Sequence, residues 1–490
     1  MKKIYRPLAL ATFLIFSNSC SNDFIDVAPT ENIAEADLLS IYNNNEGAES
    51  FVTAVYNKEL SWNISSFSWN GLSSISSDDA DKGSSPSDTG SDKDKCDALT
   101  LDSGSQSVQD VFEGNYQGIS RANIALLYLP KLDKADANLK ARLTGEAKFL
   151  RALMYFNLVR CFGGVPIVDH VPVPSSTADT DMTLTSRSRE DVYAFIESDL
   201  LAAIAVLPEK GGYAASNLGR ATKGAAHALL AKVYLYQKNW QGVLSQCALV
   251  TGYDLFPDYA SLWREVGEDC NESIFEIRGN GGNPSKGVEG YMVTQGARGN
   301  SGWGWGFNTP SVVLANSYEA GDVRKDATII FAGETMWDGR VVSPLVENPM
   351  YNEKAYVSQT KETFNGGDWE TTKNIRVLRY AEVLLMQAEA ANEIGSGDVT
   401  GPLNKVRNRA GLPNTTAVGQ VPLRNAIWAE RRHELAFEHD RWFDLVRTGQ
   451  AKAAMALDGK TFVDGKNELF PIPQKFINQA NGKTVQNPGY

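Results

Sequence analysis

Four tryptophans in glycine- and serine-rich surroundings are the residues best suited to chemistry in this chain. Trp62 and Trp69 lie in one stretch, Trp303 and Trp305 in another. A pyranose ring presents an apolar face of C–H groups that stacks on an indole or phenol ring, and its hydroxyls need amide, carboxylate or guanidinium partners at the edge. Both stretches supply both kinds of group. The first offers Trp62, Asn63, Trp69, Asn70 and Asp78; the second offers Tyr291, Gln295, Arg298, Asn300, Trp303, Trp305 and Asn308. In the run SGWGWGFNTP the glycines leave both faces of Trp303 and Trp305 accessible. For any single tryptophan the commoner alternative is a ring that fills a small satellite core under its loop. Of the pair Trp303 and Trp305, at least one is a candidate to face a ligand.

Other chemistries find less support. The chain has four histidines, and the stretch HELAFEH places Phe437 where the second histidine of an H-E-x-x-H zinc site must stand. Two G-K-T triplets, at Gly459 and Gly482, lack the upstream glycine of a phosphate loop, since Ala454 and Ile477 occupy those places. No G-x-S-x-G nucleophile elbow occurs. Asp79, Asp81, Asp88, Asp92 and Asp94 could offer oxygen ligands to calcium, but not at EF-hand spacing, so a solvated acidic loop is the simpler reading and no cofactor is implied. Glu430, Glu434, Glu438 and Asp440 alternate with Arg431, Arg432 and Arg441, the pattern of an ion-pair network between helices rather than of a paired-carboxylate catalytic cleft. Cys96, Cys161, Cys247 and Cys270 include no close pair; Cys161 and Cys247 sit in apolar helical patterns and read as core. Whether any of the four are oxidised is not legible.

Charge narrows the partner. The whole chain carries a formal −12, and without Lys2, Lys3 and Arg6 of the leader 44 basic residues face 59 acidic ones, a net −15. Such a surface suits nucleic acid poorly, because phosphates need compensating cations. A neutral sugar is indifferent to it. The leader itself (residues 1–19) combines those cations with an apolar run from Leu8 to Phe16, too short to span a bilayer, and ends Ser17-Asn18-Ser19-Cys20. Small residues before a cysteine point to lipoprotein processing with Cys20 as the lipidated first residue, although Ser17 and Asn18 depart from the usual aliphatic-then-small pattern. No later segment is apolar enough for a membrane helix, so the chain is expected to be anchored to a membrane without spanning it.

The elements that must position these residues are mostly helical. Leu143, Ala147, Leu150 and Met154 recur at helical spacing within Leu139 to Cys161, before Gly163-Gly164 and Pro166 stop the run. Further helices are expected over Arg189–Val206, from about Thr222, over Asn374–Ile394, Pro402–Arg409 and Pro422–His439. Ala225–Cys247 reads as a tetratricopeptide-like helix pair, with small alanines and Tyr234, a turn at Lys238-Asn239 and a second helix opened by Trp240; Glu382–Arg409 repeats the idea. A strict period of about 34 residues is absent. The expectation is therefore a mainly α fold in a single domain spanning 20–490. It would be a scaffold of degenerate helix pairs carrying long loop-rich insertions at about 61–107 and 279–368, where binding residues usually sit. Within the second insertion Thr309-Pro310 looks like a helix start.

Several blocks carry a family resemblance across nearly the whole length. They are CSNDFIDVAPT after the leader, GEAKFLRALMYFNLVRCFGGVPIV from Gly145, GRATKGAAHALLAKVYL from Gly219, LRYAEVLLMQAEAANEIG from Leu378, LNKVRNRAGL from Leu403, ERRHELAFEHDRWFDLVRTG from Glu430, and the terminal LFPIP and QNPGY. In content and order they resemble the SusD/RagB family of outer-membrane lipoproteins of Bacteroidota. That resemblance implies four tetratricopeptide-like helix pairs with a loop-rich ligand-binding half. It implies a non-catalytic role at the outer face of the outer membrane, as a lid over a SusC-like TonB-dependent barrel to which it delivers captured oligosaccharides. The blocks are scaffold, so they do not locate ligand residues; the candidates Trp303, Trp305, Trp62, Trp69, Tyr291, Asn300 and Arg298 come from the loops themselves. Some members of the family handle peptides, which is the alternative ligand class. A helical glycoside hydrolase ranks well behind both.

Overall fold

The computed structural model describes residues 35–89, 91–214, 217–280, 287–364 and 370–490. The leader and Cys20 lie outside the described residues. Ten helices form the frame: α1 (Asn45–Glu59), α2 (Gln106–Tyr128), α3 (Ala137–Phe162), α4 (Arg189–Val206), α5 (Lys223–Tyr236), α6 (Trp240–Cys247), α7 (Tyr380–Ile394), α8 (Thr400–Arg409), α9 (Gln420–Leu435) and α10 (Arg441–Thr448). They pack as successive pairs, α1 on α2, α3 on α4, α5 on α6 and α7 on α8. From Phe149 to Phe162 every residue of α3 is buried, so this helix is the axis of the main core rather than an amphipathic surface helix.

Local chemistry accounts for the boundaries. Asp136 caps α3 by accepting the Leu139 N–H, and Thr222 caps α5 by accepting that of Ala225. The α5–α6 turn places Lys238 at φ 58°, and the Asn239 side chain then accepts the Gly242 N–H to open α6. Gly395, at φ 71°, closes α7. Cys96, Cys161 and Cys247 are buried free thiols that burial pushes up to about 12, and Cys270 is a partly exposed free thiol.

The structure corrects several expected elements. The helix expected from Asn374 begins only at Tyr380. Residues Ile375–Arg379 form a strand that pairs antiparallel with Ser273–Ile277, and Arg379 keeps an extended backbone. The helix expected to reach His439 ends at Leu435, because Phe437 and His439 adopt positive φ. Thr309-Pro310 belongs to a strand, and Ser311 caps the short helix that follows. Three frame helices lie outside those expected, α1, α2 and α10. Gly114 and Gly118 dilute the pattern of α2, yet they allow close approach: a Cβ on Gly118 would lie 2.4 Å from Met154 of α3. The first loop-rich region is partly helical too, with short turns at Trp62–Ser65, Phe67–Asn70 and Gly71–Ile75.

Two further features hold the loop-rich half to the frame. Among the described residues the strands form four two-stranded antiparallel sheets. The alternating charges of α9 form a buried ion-pair cluster. Glu434 is met by Arg324 (3.0 Å), Arg379 and Arg409, while Arg324 also meets Asp322 (2.7 Å) and Glu430 (2.6 Å). Burial alone would raise the Glu434 carboxyl, but Arg409, Arg379 and Arg324 hold it well below the usual carboxylate range. The cluster joins α8, α9, the Ile375–Arg379 strand and the loop-rich region.

Candidate functional site

The two loop-rich regions meet through strands β1 (Ala80–Gly83) and β2 (Phe307–Pro310), which pair Ala80 with Pro310, Asp81 with Thr309 and Gly83 with Phe307. Gly83 has φ 67°, and a Cβ there would fall 2.3 Å from the Gly306 carbonyl oxygen, so the close crossing requires glycine. This pairing brings Trp305 beside Trp62. Their ring centroids are 6.2 Å apart at 68°, and Phe67 packs edge-on against both, 4.8 Å from Trp62 and 6.2 Å from Trp305. Phe307 supports Phe67 from beneath at 4.9 Å. The Trp305 N–H donates to the Val293 carbonyl (2.7 Å), which fixes the backbone while the side chain stays 37% exposed. Trp62 is half-buried. The result is an aromatic platform with a fixed backbone, exposed at Trp305.

The turn carrying Trp62 is clamped by Glu289. Glu289 Oε2 accepts the Trp62 N–H at 2.9 Å, its backbone N–H donates to the Leu60 carbonyl at 3.0 Å, and its carbonyl accepts the Ser66 hydroxyl. Beside Trp62 opens a groove of about 540 Å³, whose polar lining includes Lys58, Asn63, Gln106, Asp110, Arg121 and Glu289. Burial, with Arg121 next in weight, lowers the Lys58 ammonium to about 8. None of Lys58, Asp110, Arg121 or Glu289 stood out in the sequence, because the elements that carry them were not legible there and isolated charged residues look like solvated surface.

The other candidates go elsewhere. Trp303 is buried against Tyr356 (5.4 Å) and Tyr351 (6.4 Å), with the Arg340 guanidinium 4.2 Å from its ring, so it fills a satellite core. Trp69 is also buried, stacked 5.7 Å from Phe443 of α10. Tyr291 is buried with Ile277, Val288, Ala355 and Ile375, and burial raises its hydroxyl. Arg298 is spoken for by Asp88 (3.0 Å), Ser84 (2.8 Å) and Glu347 (3.4 Å). Asn300 is exposed on the turn leading to Trp303. Gln295 is an internal strut, its carbonyl accepting from Asn308 and Asn352 at 2.8 Å each. The early aspartates are dispersed: Asp79 pairs with Arg432 (2.6 Å), Asp78 with Arg441 (2.7 Å) and Asp88 with Arg298. His433 is buried and bonded to Ser317, His439 is half-buried and bonded to Ser73, and desolvation lowers both to about 4.

Comparison with known proteins agrees with this architecture. Residues 271–490 match the SusD family, and residues 24–235 match a family described as starch-binding and associating with the outer membrane. SusD-like protein P2 of Formosa agariphila is 30% identical over 392 residues, covering 72% of this chain and 75% of that one. A laminarin binding SusD-like protein of known structure is similar with a TM-score of 0.79 at 31% identity, over 91% of this chain and 100% of that chain. A SusD-like protein from Bacteroides fragilis gives a TM-score of 0.79 at 25% identity, over 94% and 100%. The chain belongs to the SusD family. Among the described residues no helix is long and apolar enough to cross a membrane.

Proposed function

We propose that this protein is a surface glycan-binding lipoprotein that captures oligosaccharides without cleaving them. The observation that carries the reading is the Trp62–Phe67–Trp305 platform, assembled from two loop regions and left accessible at Trp305. Indole faces of this kind suit the C–H face of a sugar. The likeness to a laminarin binding relative supports a glycan ligand and makes laminarin the first member of any test panel. In this reading a lipid on Cys20 holds the chain at the outer face of the outer membrane. The chain closes as a lid over a SusC-like TonB-dependent barrel, and it uses no cofactor.

The test is affinity gel electrophoresis of the soluble form, starting at Ser21, against a panel of polysaccharides. One glycan is expected to retard the protein, and Trp62→Ala with Trp305→Ala is expected to abolish the shift, at about tenfold in affinity per ring. Unchanged retardation of the double variant would move the ligand off this platform. Binding of peptides with no glycan retarded would replace sugar by peptide as the cargo, and release of reducing ends would make the protein a hydrolase.

A further inference from the structure

The groove beside Trp62 is built for hydrogen bonding and is not used by the platform. Its volume, about 540 Å³, falls in the range of ligand sites, roughly 300–1,000 Å³. Lys58, on the last turn of α1, is only 8% exposed. Its ammonium donates to Asn63 Oδ1 at 3.3 Å and has no other hydrogen-bond or ion-pair partner among the described residues. An ammonium has three N–H donors, so a nearly buried lysine with one long bond is a donor awaiting acceptors. Asp110 accepts the Ser68 hydroxyl through Oδ2 at 2.7 Å, and its other oxygen has no partner among the described residues. Arg121 and Glu289 complete the charged lining, Arg121 fixed by a bond to the Ala54 carbonyl at 3.0 Å and Glu289 by the Trp62 N–H.

This mixture selects a ligand class. Two cations and two carboxylates in one groove offer donors and acceptors side by side. A sugar hydroxyl donates and accepts at once, so vicinal hydroxyls satisfy both kinds of group. A carboxylate or sulfate on the chain would meet Lys58 and Arg121 but would be repelled by Asp110 and Glu289. Trp62 lies between groove and platform and lines both. We propose that this groove is a second subsite, which takes the neutral, hydroxyl-rich residues of a glycan chain running on from the Trp62–Trp305 platform. The proposal rests on the glycan-binding function above.

The test is titration calorimetry on the full chain in detergent, with a neutral oligosaccharide ladder from trimer to octamer prepared from laminarin and a carboxylated ladder prepared from alginate. Affinity for the neutral ladder is expected to rise about tenfold with length, the scale of one charge-assisted hydrogen bond. That gain is expected to disappear in Lys58→Met and, independently, in the near-isosteric Asp110→Asn. Affinity that is flat beyond the trimer while Trp305→Ala still weakens binding would overturn the groove and spare the platform. Tighter binding of the carboxylated ladder, lost in Lys58→Met, would overturn the neutral assignment. No binding by either ladder would overturn both readings.

Discussion

The backbone N–H of Trp62 donates to the carboxylate of Glu289 at 2.9 Å, a bond between residues 227 positions apart. Glu289 thereby fixes the backbone from which the Trp62 ring projects. Glu289→Ala is expected to weaken glycan binding about fivefold, the value of one hydrogen bond of about 1 kcal/mol. Glu289→Gln keeps an acceptor oxygen and should restore most of the loss. Titration of both variants, with tryptophan emission recorded alongside, separates a reoriented Trp62 from a chain that has merely lost stability.

Trp303 and Trp305 should fail in opposite ways. Trp303→Ala empties a packed cluster and removes a cation–π partner of Arg340, so it is expected to cost ~3–5 kcal/mol of stability. Trp305→Ala should leave the melting temperature nearly unchanged and reduce binding. Differential scanning calorimetry paired with the gel assay reads both outcomes.

Glu59 gives a pH dependence with a defined sign. It is buried, and burial raises its carboxyl from 4.5 to about 8, with Lys58 partly opposing. A group raised in the folded state contributes stability that is full below 4.5 and is lost as pH climbs through about 8. His433 and His439, lowered to about 4, act the other way between about 4 and 6.5. The difference between wild type and Glu59→Gln isolates the carboxyl: the variant should gain melting temperature relative to wild type as pH rises from about 5 to 8. A constant difference across that window would refute the assignment.

Glu434 is the most heavily shared carboxylate of the ion-pair cluster, held by Arg324, Arg379 and Arg409. Its removal leaves three guanidinium groups under-compensated in the interior. Glu434→Ala is expected to cost ~3–5 kcal/mol, measured as a shift of the urea midpoint. A loss under about 1 kcal/mol would mean that the cluster is solvated in solution.

Much of the scaffold was legible because its signals are local. Thr222, the alanines of α5, the Lys238-Asn239 turn and Trp240 each act within a few residues, and the α5–α6 pair follows from them. The Ile375–Arg379 strand was not legible, since its apolar residues run unbroken into those of α7 and its partner strand lies about a hundred residues earlier. The site divides in the same way. Aromatic loops announce themselves, but which ring is covered depends on distant segments. Trp303 and Trp305 differ by two positions and share glycine neighbours. One is buried by Tyr351, Tyr356 and Arg340, and the other meets the Trp62 turn. Trp69 likewise owes its burial to Phe443, more than three hundred positions away.

The Asp81–Thr309 strand pairing has a consequence for biogenesis. Each wall of the aromatic platform is made from a different third of the polypeptide, and the strands that join them are more than two hundred positions apart. Contacts so distant in sequence form slowly, after local helices have settled. A nascent or truncated chain could therefore display well-formed α3, α5 and α6 and still hold no sugar. Assembly of the platform thus requires synthesis through Pro310 and closure of this long-range pairing, and it reports tertiary folding in a way that helical content does not.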